Sequence, residues 1–394
     1  MPAQNSCIDT QRMRGITRMW LSIPLTLAVL ALGCESSGSG TPAPTVPATE
    51  RVPLRGTGAR DDALASARVW QPPPVPIAQA NLRANPLTSA AIDDGAEVTC
   101  RFIVRDVSGT TPKFYCELPG GDVLKIKYGR TNPELHAEVA ASRLLNALGF
   151  PADQMFIVGR VRCAGCPMFP FQALRCFARI GVQSVCFAGG IDYARVIDFD
   201  SAVLERKLPG RVLEAFANQG WAWYELDRID PQRGSTRAEV DAFRLLAVFL
   251  AHWDNKSANQ RLVCPTGLDR GDGGCSQSLA IIQDLGATFG PLKLDLHNWR
   301  RGRIWKDAKT CTVSMEHFPW RGATFTERMI SEEGRLLLLG LLAQLSDQQL
   351  RDLFEGSRVA THEQFGADGG RAQRWVAAFK DRVAQIRDAG PCSS

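Results

Sequence analysis

The stretch from Phe249 to Cys264, FLAHWDNKSANQRLVC, joins an apolar run to a short polar loop. The apolar run begins upstream, in STRAEVDAFRLLAVFL, so we expect one buried helix that ends near Trp253. Thr236 and Glu239 have the spacing of a capping box, which predicts where this helix begins. The polar loop then brings a His, an Asp, a Lys and an Asn close together in the sequence, as a site would require.

Length and composition indicate a globular protein of ordinary charge. The chain has 394 residues, of which 45% are hydrophobic and 22% charged, enough to bury a core in one large domain or in two lobes. Its net charge is only +5, and the sequence has no basic stripe with interleaved aromatic residues. We therefore expect no nucleic acid among its partners.

The N-terminal residues have the pattern of an export signal. Three arginines precede the apolar stretch MWLSIPLTLAVLAL, which is shorter than a typical membrane span. Gly33 directly precedes Cys34, as in a bacterial lipobox, although Ala31 stands where Leu is usual. We expect residues 1–34 to be a signal peptide that ends at a lipidated Cys34, which would anchor the protein in the bacterial cell envelope. An uncleaved anchor or plain secretion is the alternative.

Residues 35–95 are rich in Ser, Gly, Thr, Pro and Ala. A segment of this composition buries too little apolar surface to offset the entropy that it loses on ordering. We expect it to be a disordered tether between the membrane and a folded part that begins near Glu97.

The cysteines indicate an oxidising compartment. Twelve are present, and ten remain when Cys7 and Cys34 are set aside. An even number outside the cytoplasm predicts disulfides, and three local pairs are plausible. These pairs are Cys100 with Cys116, Cys176 with Cys186, and Cys264 with Cys275. The segment CAGC, Cys163 to Cys166, could form half of a zinc site, but no second CxxC or paired His accompanies it.

Upstream of the polar loop the sequence predicts strands and one helix. TCRFIV, KFYCEL and VLKIKYG are separated by turn-forming residues, so we expect three antiparallel strands. NPELHAEVAASRLLNALGF predicts a helix with Asn132 as its N-cap and Pro133 at its first position. MFIVGRVRC is interpreted as a further strand. After Phe187 the sequence is mostly helical, apart from SLAIIQ, a strand that enters the loop DLGATFG.

The polar loop resembles the catalytic loop of protein kinases, H-R-D-x-x-x-x-N. His252, Asp254 and Asn259 match this motif at the same spacing. Lys256 follows the common kinase pattern, and Trp253 stands where Arg is usual. The spacing suits the chemistry, because a short loop that leaves a buried helix can present a base and a metal ligand to one cleft.

Two further kinase elements have counterparts in the expected order. The loop that begins at Asp284, DLG, resembles D-F-G with Leu in place of Phe. Upstream, VLKIKYG supplies Lys125 and Lys127 as candidates for the kinase lysine, and we favour Lys125 because VLK resembles V-A-I-K. On the following helix Glu138 shares a face with apolar residues, so we prefer it to Glu134 as the partner of that lysine.

Together these matches resemble the atypical protein kinases, the HipA-like and secretory-pathway groups. The resemblance implies an α+β, bilobal protein-kinase-like fold, stapled here by disulfides. Residues 96–190 would form an N-lobe with an antiparallel sheet and one helix, and residues 191–394 a mostly helical C-lobe. The implied activity is transfer of a phosphoryl group from ATP to an acceptor, for which a protein, a lipid and a small molecule all remain open.

The resemblance also implies a role for each matching residue. Asp254 would be the catalytic base, with His252 and Lys256 as further catalytic residues. Asn259 and Asp284 would bind Mg²⁺ or Mn²⁺ on the nucleotide phosphates.

The phosphates themselves would be held by two parts of the strand-rich half. One is Lys125 or Lys127 together with Glu138, and the other is the backbone N–H groups of Gly109 and Thr110. The loop SGTTPK contains one glycine where kinases have G-x-G-x-x-G. A catalytically silent kinase-like scaffold or binding lipoprotein of the cell envelope is therefore the alternative function.

Overall fold

The structure of the protein is a computed structural model. It describes residues 56–87, 92–129, 131–216, 219–318, 322–361 and 371–392, all within one structural unit. The expected signal peptide, with Cys7 and Cys34, lies outside the described residues. Within the described ranges, no helix is long and apolar enough to cross a membrane.

A seven-stranded sheet dominates the N-terminal part of the fold. Its strands are β1 (Glu97–Ile103), β2 (Lys113–Glu117), β3 (Val123–Lys127), β4 (Gln154–Ile157), β5 (Arg160–Ala164), β6 (Val196–Asp200) and β7 (Val203–Arg206). In space they follow the order β4–β7–β3–β2–β1–β5–β6, and each neighbouring pair is antiparallel except β1 with β5. The three antiparallel strands predicted from the sequence, β1 to β3, are confirmed.

Helix α2 (Pro133–Leu148) begins and ends where the sequence predicts. Asn132 caps it, because its Oδ1 accepts a hydrogen bond from the Glu134 backbone N–H at 3.0 Å. Gly149 ends it with a left-handed φ of +89°. A glycine is also required there sterically, since a Cβ would lie 2.1 Å from the Gln71 carbonyl oxygen.

The two faces of the sheet have different neighbours. On one face, Leu135 and Val139 of α2 are buried against Met155, Ile157 and Val203. On the other face, apolar side chains of β1, β2 and β3 pack against α3 (Pro170–Ile180) and the residue that follows the short α4 (Gln183–Cys186). Successive residues of a strand alternate between faces, so the lysines and the apolar residues of β3 point in opposite directions.

The C-terminal part is mostly helical. Its helices are α5 (Arg237–Leu250), α6 (Leu296–Arg301), α7 (Glu332–Leu342), α8 (Asp347–Gly356) and α9 (Arg371–Arg387). Helix α5 is the buried central one, and its predicted capping box is confirmed: the Thr236 N–H donates to Glu239 at 2.8 Å, and the Glu239 N–H to Thr236 at 3.3 Å. Two three-stranded sheets complete this part: β8 (Arg211–Val212), β9 (Gln260–Cys264) and β10 (Leu279–Ile282), and then β11 (Trp305–Asp307), β12 (Thr312–Val313) and β13 (Arg328–Met329).

Part of the segment 35–95, which we expected to be a disordered tether, is folded. Helix α1 (Gly58–Ala65) lies within it. Leu64 and Val69 are completely buried in the core around α5, and Arg68 forms a β-bridge to β10. The expectation is wrong for this part of the segment, because apolar residues scattered among the prolines are buried against the helical part.

The strand-rich part also extends beyond residue 190, where we expected it to end. Strands β6 and β7 follow that boundary, and β7 lies beside β3 inside the sheet. The sheet carries α3 and α4 in addition to α2, and MFIVGRVRC is two strands, β4 and β5, rather than one. The boundary is therefore corrected to Arg206, because the short stretch VLER of β7 is too brief to show a periodicity.

Five disulfides cross-link the described chain, and the predicted α+β fold class stapled by disulfides is confirmed. The three predicted pairs are all present: Cys100–Cys116, Cys176–Cys186 and Cys264–Cys275. Cys163 and Cys166 are bonded to each other, so they offer no thiolate to zinc and the alternative of half a zinc site is excluded. The fifth disulfide joins Cys311 to Cys392. Such a set is typical of a protein that folds in an oxidising, extracytoplasmic compartment.

Candidate active site

A cleft of about 660 Å³ opens between the α2 face of the sheet and the β9–β10 hairpin. Strands β9 and β10 are antiparallel, so the residue before β9 and the residues after β10 come to the same end of the hairpin. Asn259 precedes β9 and Asp284 follows β10, and the Asp284 backbone N–H donates to the Asn259 carbonyl oxygen at 3.3 Å. Both residues line the cleft together with Lys125 and Lys127 of β3.

Lys127 forms a buried ion pair with helix α2. Its Nζ lies 2.6 and 2.5 Å from the carboxylate oxygens of Glu138, and 3.0 Å from Glu205 of β7. Burial acts to lower the pKa of Lys127, but the charges of Glu138 and Glu205 outweigh it and raise that pKa well above its usual value. The preference for Lys125 as the lysine that pairs with the helix is therefore wrong, whereas Glu138, preferred to Glu134, is the helix residue that pairs with a lysine of β3.

Lys125 pairs instead with Glu205, its neighbour across β3 and β7. Lys207 lies 3.3 Å from the same carboxylate and donates to the Gln283 side-chain oxygen at 3.0 Å. Burial lowers the pKa of Lys207 to about 8, in spite of the opposing charge of Glu205. Neither Glu205 nor Lys207 was predicted from the sequence to belong to the site. The available signal was their spacing of two in VLERKL, which directs both side chains toward one face.

Asp284 lies within the positive charge of the cleft. Burial opposes its ionisation, but the charges of Lys127, Lys113 and Lys125 outweigh it and lower the pKa of Asp284 to about 2. Its Oδ1 also accepts a hydrogen bond from the Gly286 backbone N–H at 3.2 Å. Asp284 is therefore a carboxylate at physiological pH, as a metal ligand must be. Lys113, a further residue that the sequence did not single out, lines the same cleft.

Asp254 is held by two residues of its own loop, Lys256 and Asn259. The Lys256 Nζ lies 3.1 and 3.0 Å from the two carboxylate oxygens of Asp254, and the Asn259 Nδ2 donates to the Asp254 carbonyl oxygen at 2.6 Å. Burial raises the pKa of Asp254, aided by the charge of Asp284 and opposed by that of Lys256. A carboxylate with a raised pKa accepts a proton more readily, which suits a general base.

His252 is not placed as predicted. Its side chain is completely buried, and neither ring nitrogen has a hydrogen-bond partner among the described residues. Burial lowers its pKa to about 4, so the ring is neutral at physiological pH. A side chain without access to the cleft does not reach a substrate, so the expected catalytic role of His252 is corrected to packing beneath the loop.

Trp253, which stands where kinases have Arg, connects the polar loop to the segment after β10. Its Nε1 donates a hydrogen bond to the Gly290 carbonyl oxygen at 3.1 Å. The side chain is partly buried against the core around α5. Trp253 therefore contributes an apolar contact and a hydrogen bond to the backbone.

The loop between β1 and β2 borders the cleft through Gly109, which has a φ of +78°. Thr110 is exposed and, among the described residues, is not part of the cleft lining, so of the two residues only Gly109 borders the cleft, and its contact with phosphates stays a prediction. The buried Thr111 anchors this loop, because its hydroxyl donates to the Glu134 carboxylate at 2.5 Å. Glu134 also pairs with Lys293, and these contacts join the loop, α2 and the segment after β10.

The donor set at the end of the hairpin fits a hard divalent cation. Asp284 offers an ionised carboxylate, and Asn259 offers an amide oxygen, since its Nδ2 already donates to the backbone. Mg²⁺ and Mn²⁺ prefer oxygen ligands and are commonly held by one or two protein groups together with phosphate oxygens. The lysines on the opposite wall of the cleft complement the negative charge of such phosphates.

No protein-family model and no curated protein matches the sequence. Among solved structures, the Helicobacter pylori proinflammatory kinase CtkA is similar with a TM-score of 0.40 and 10% identity, over 72% of this chain and 92% of that chain. The Golgi casein kinase is similar with a TM-score of 0.36 and 14% identity, over 75% of this chain and 73% of that chain. Its structure with Mn/ADP bound gives a TM-score of 0.33 and 15% identity over the same shares, 75% and 73%. These are similarities of fold at low identity, so the chemistry of the cleft has to be inferred from its own side chains.

Proposed function

We propose that this protein is a kinase-like phosphotransferase, which moves a phosphoryl group from ATP to a hydroxyl acceptor in the presence of Mg²⁺ or Mn²⁺. The observation that carries the proposal is the buried Lys127–Glu138 pair, whose lysine lines the same cleft as Asp284 and Asn259. A buried ammonium group, an ionised acid and an amide oxygen around one cleft are the groups that hold a metal-bound polyphosphate. Burying such charges is costly, so packing alone gives no reason to collect them there.

Each of these residues has a distinct part in the proposal. Lys127 would bind phosphate oxygens of the donor, and Glu138 is its ion-pair partner on α2, with a pKa that burial raises to about 7 in spite of the opposing charge of Lys127. Asp284 and Asn259 would hold the cation, which, when bound, neutralises charge on the phosphate oxygens. Gly109 would bring backbone N–H groups of the β1–β2 loop near the phosphates.

Asp254 would take the proton of the acceptor: it is not among the described residues that line the cleft, but its side chain is 22% exposed and its ion-pair partner Lys256 does line the cleft. As the acceptor oxygen attacks the terminal phosphorus, a new O–P bond forms and the bond to the bridging oxygen breaks, with its electron pair leaving on ADP. The acceptor proton passes to the Asp254 carboxylate, whose pKa is raised by burial. Lys256 orients that carboxylate through its ion pair of 3.0 Å.

A catalytically silent kinase-like scaffold or binding lipoprotein is the second candidate. The observation that favours it is the loop between β1 and β2, in which Gly109 is the one glycine. A loop with a single glycine turns fewer backbone N–H groups toward a phosphate than a glycine-rich one. Such a protein would bind a nucleotide or a partner in the cleft and release it unchanged.

The variant Asp254→Asn in the full chain separates these candidates. With Cys34→Ser in every sample to prevent lipidation, we expect label transfer from ATP, to the protein itself or to water, to fall at least about a hundredfold in the presence of Mn²⁺. Asp388→Asn is the matched control, because Asp388 is an exposed acid in an ion pair with Arg387. Equal transfer in all three proteins, or ATP binding without transfer in the unchanged chain, would favour the scaffold.

We further propose that the protein acts in the bacterial cell envelope, held by a lipid on Cys34. The five disulfides support an oxidising compartment for the folded part. Cells grown with a radioactive fatty acid should label the unchanged protein, and Cys34→Ala should abolish that label, because the thiol that carries the lipid is gone. A membrane-bound protein without label would instead favour an uncleaved N-terminal anchor.

A further inference from the structure

Five large apolar side chains are exposed within the segment from Cys166 to Gly190, which contains α3 and α4. They are Met168 (60% exposed), Phe169 (63%), Ile180 (53%), Val182 (44%) and Val185 (64%). Three of them, Met168, Phe169 and Val185, line one groove. Single exposed apolar residues are ordinary on a protein surface, but large apolar side chains gathered in this way mark a binding surface. We refer to these five side chains as the α3–α4 patch.

The α3–α4 patch is held in place by the fold and by disulfides. The inward side of α3 is already filled, because Phe171, Ala173 and Leu174 are buried. Cys176–Cys186 joins α3 to α4, and Cys163–Cys166 fixes the chain just before α3. The apolar side chains on the outer side therefore form a fixed surface toward solvent.

The charges around the α3–α4 patch are basic. From Gln154 to Ile191 the sequence has four arginines and no Asp or Glu, but Arg160 and Arg162 of β5 are paired with acids of the neighbouring strands. Of these arginines, Arg175 and Arg179 are exposed on α3. The next acid, Asp192, borders the patch, and its Oδ1 accepts a hydrogen bond from the Ala194 backbone N–H at 2.9 Å. The surface is therefore complementary to negative charge.

A groove of about 520 Å³ joins parts of this surface. Met168 and Phe169 line it from the loop before α3, and Val185 and Phe187 line it from α4 and the residue that follows. A groove with this lining can accept hydrocarbon.

The α3–α4 patch and the cleft belong to opposite faces of the sheet. On β3, Leu124 and Ile126 point into the core that α3 covers, while Lys125 and Lys127 point into the cleft. A partner bound on the α3–α4 patch would therefore leave the cleft open.

We propose that the α3–α4 patch docks the protein on the surface of an anionic phospholipid bilayer. The apolar side chains enter the interfacial region, and Arg175 and Arg179 meet anionic headgroups. A bilayer is favoured over a protein partner because exposed apolar side chains with arginines beside them and no acid on either helix are the composition of an interfacial helix. The proposal rests neither on the phosphotransferase activity nor on the lipidation of Cys34.

Hydrogen–deuterium exchange of the full chain carrying Cys34→Ser tests the docking. Residues 1–34 are expected to hold the chain on vesicles by themselves, so the readout is the exchange of the amides of residues 166–190. Phosphatidylcholine vesicles with about 30% phosphatidylglycerol should slow that exchange by about tenfold. Vesicles of phosphatidylcholine alone should slow it less, because the arginines then have no anionic partner.

Two variants assign the effect to the α3–α4 patch. Phe169→Ser with Val185→Ser should abolish the slowing, because it removes two of the most exposed apolar side chains. Phe216→Ser with Leu336→Ser replaces exposed apolar residues elsewhere (79% and 52% exposed) and should leave the slowing unchanged. All four are surface positions, and an unchanged thermal unfolding midpoint shows that each variant is folded.

Three results would overturn the proposal. The first is that anionic vesicles do not slow the exchange of residues 166–190. The second is that they slow it equally in the Phe169→Ser, Val185→Ser protein and in the protein without these changes. The third is that neutral and anionic vesicles slow it equally. Protection of residues 166–190 by a soluble envelope extract but not by vesicles would show that the partner is a protein.

Discussion

At the scale of single residues, Glu205 balances the charge of the cleft. Its carboxylate is completely buried and pairs with Lys125, Lys127 and Lys207. Burial acts to raise its pKa, yet the charges of the three lysines lower it well below its usual value. The sequence of β3 could not rank Lys125 against Lys127, because the difference between them lies in their partners, Glu205 on β7 and Glu138 on α2.

Lys127→Met should reduce nucleotide turnover more than Lys125→Met. Lys127 pairs with both Glu138 and Glu205, so its loss removes the phosphate clamp, and we expect kcat/KM for ATP to fall at least about a hundredfold, or ~2.7 kcal/mol. Lys125→Met leaves Glu205 paired with Lys127 and Lys207, and we expect a loss below about tenfold. Steady-state kinetics of both variants measures the difference. A larger loss in Lys125→Met would contradict the assignment of Lys127.

Lys207 should react with amine-directed reagents where ordinary lysines do not. Burial lowers its pKa to about 8, so at about pH 7.5 roughly a quarter of these side chains are neutral, against about a thousandth for an ordinary lysine. Its side chain is 29% exposed and therefore within reach of a small reagent. Mass spectrometry should show at least about tenfold faster acylation of Lys207 than of Lys380, which is 58% exposed. Slower acylation of Lys207 would show that its ammonium form persists.

At the scale of elements, the sequence could predict what depends on nearby residues. The cap of α2 by Asn132 and the capping box of α5 involve atoms within a few residues of each other, and both were predicted correctly. Strands β1 to β3 are joined by short connections, and they too were predicted. Asn259 and Asp284 were assigned to one cleft from a resemblance, and the physical reason for their meeting is the pairing of β9 with β10.

Elements with distant partners were missed. Strand β7 is only four residues long, and its neighbours β3 and β4 are far away in the sequence. Helix α1 lies in a segment rich in proline and small residues, and its core contacts are made with the helical part. Composition averages over such a segment, so it hides the few residues that dock.

Arg60 of α1 should therefore contribute strongly to stability. Its guanidinium is 1% exposed, lies 2.9 and 2.7 Å from the Glu225 carboxylate oxygens, and donates to the Gly220 carbonyl oxygen at 2.8 Å. Arg60→Met leaves the buried Glu225 without this partner, and we expect the free energy of unfolding to fall by about 3 kcal/mol. Urea unfolding measures the change.

A second variant distinguishes a lost ion pair from a lost contact. Arg60→Met with Glu225→Met removes both charges, so the double variant should be more stable than Arg60→Met alone. A stability unchanged by Arg60→Met would mean that α1 does not dock, and the segment would then be the tether that the composition predicts.

At the scale of the whole molecule, the α+β class was predictable and the boundary between the two parts was not. The class follows from the order of strands and helices along the chain, which local patterns reveal. The boundary depends on where β7 inserts into the sheet, and that is a property of the fold. Cysteine pairing follows this division only in part: Cys100–Cys116 joins neighbouring strands and was predicted, and Cys311–Cys392 spans 81 residues and was not. Cys163–Cys166 spans only 3 residues and was not predicted either, because its spacing is also typical of a zinc site.

Cys311–Cys392 should stabilise the fold more than any of the local disulfides, because it closes a loop of 81 residues whereas Cys163–Cys166 closes one of 3. The entropy that a cross-link removes from the unfolded chain grows with loop length, which predicts about 4.5 kcal/mol for the long loop and about 1.5 kcal/mol for the short one. All four cysteines are buried, so replacing each pair by Ala leaves similar cavities, and the short pair is a matched control. Urea unfolding of the two double variants measures how much free energy of unfolding each one loses. Equal losses would mean that the disulfides contribute through packing around the sulfur atoms and not through their constraint on the unfolded chain.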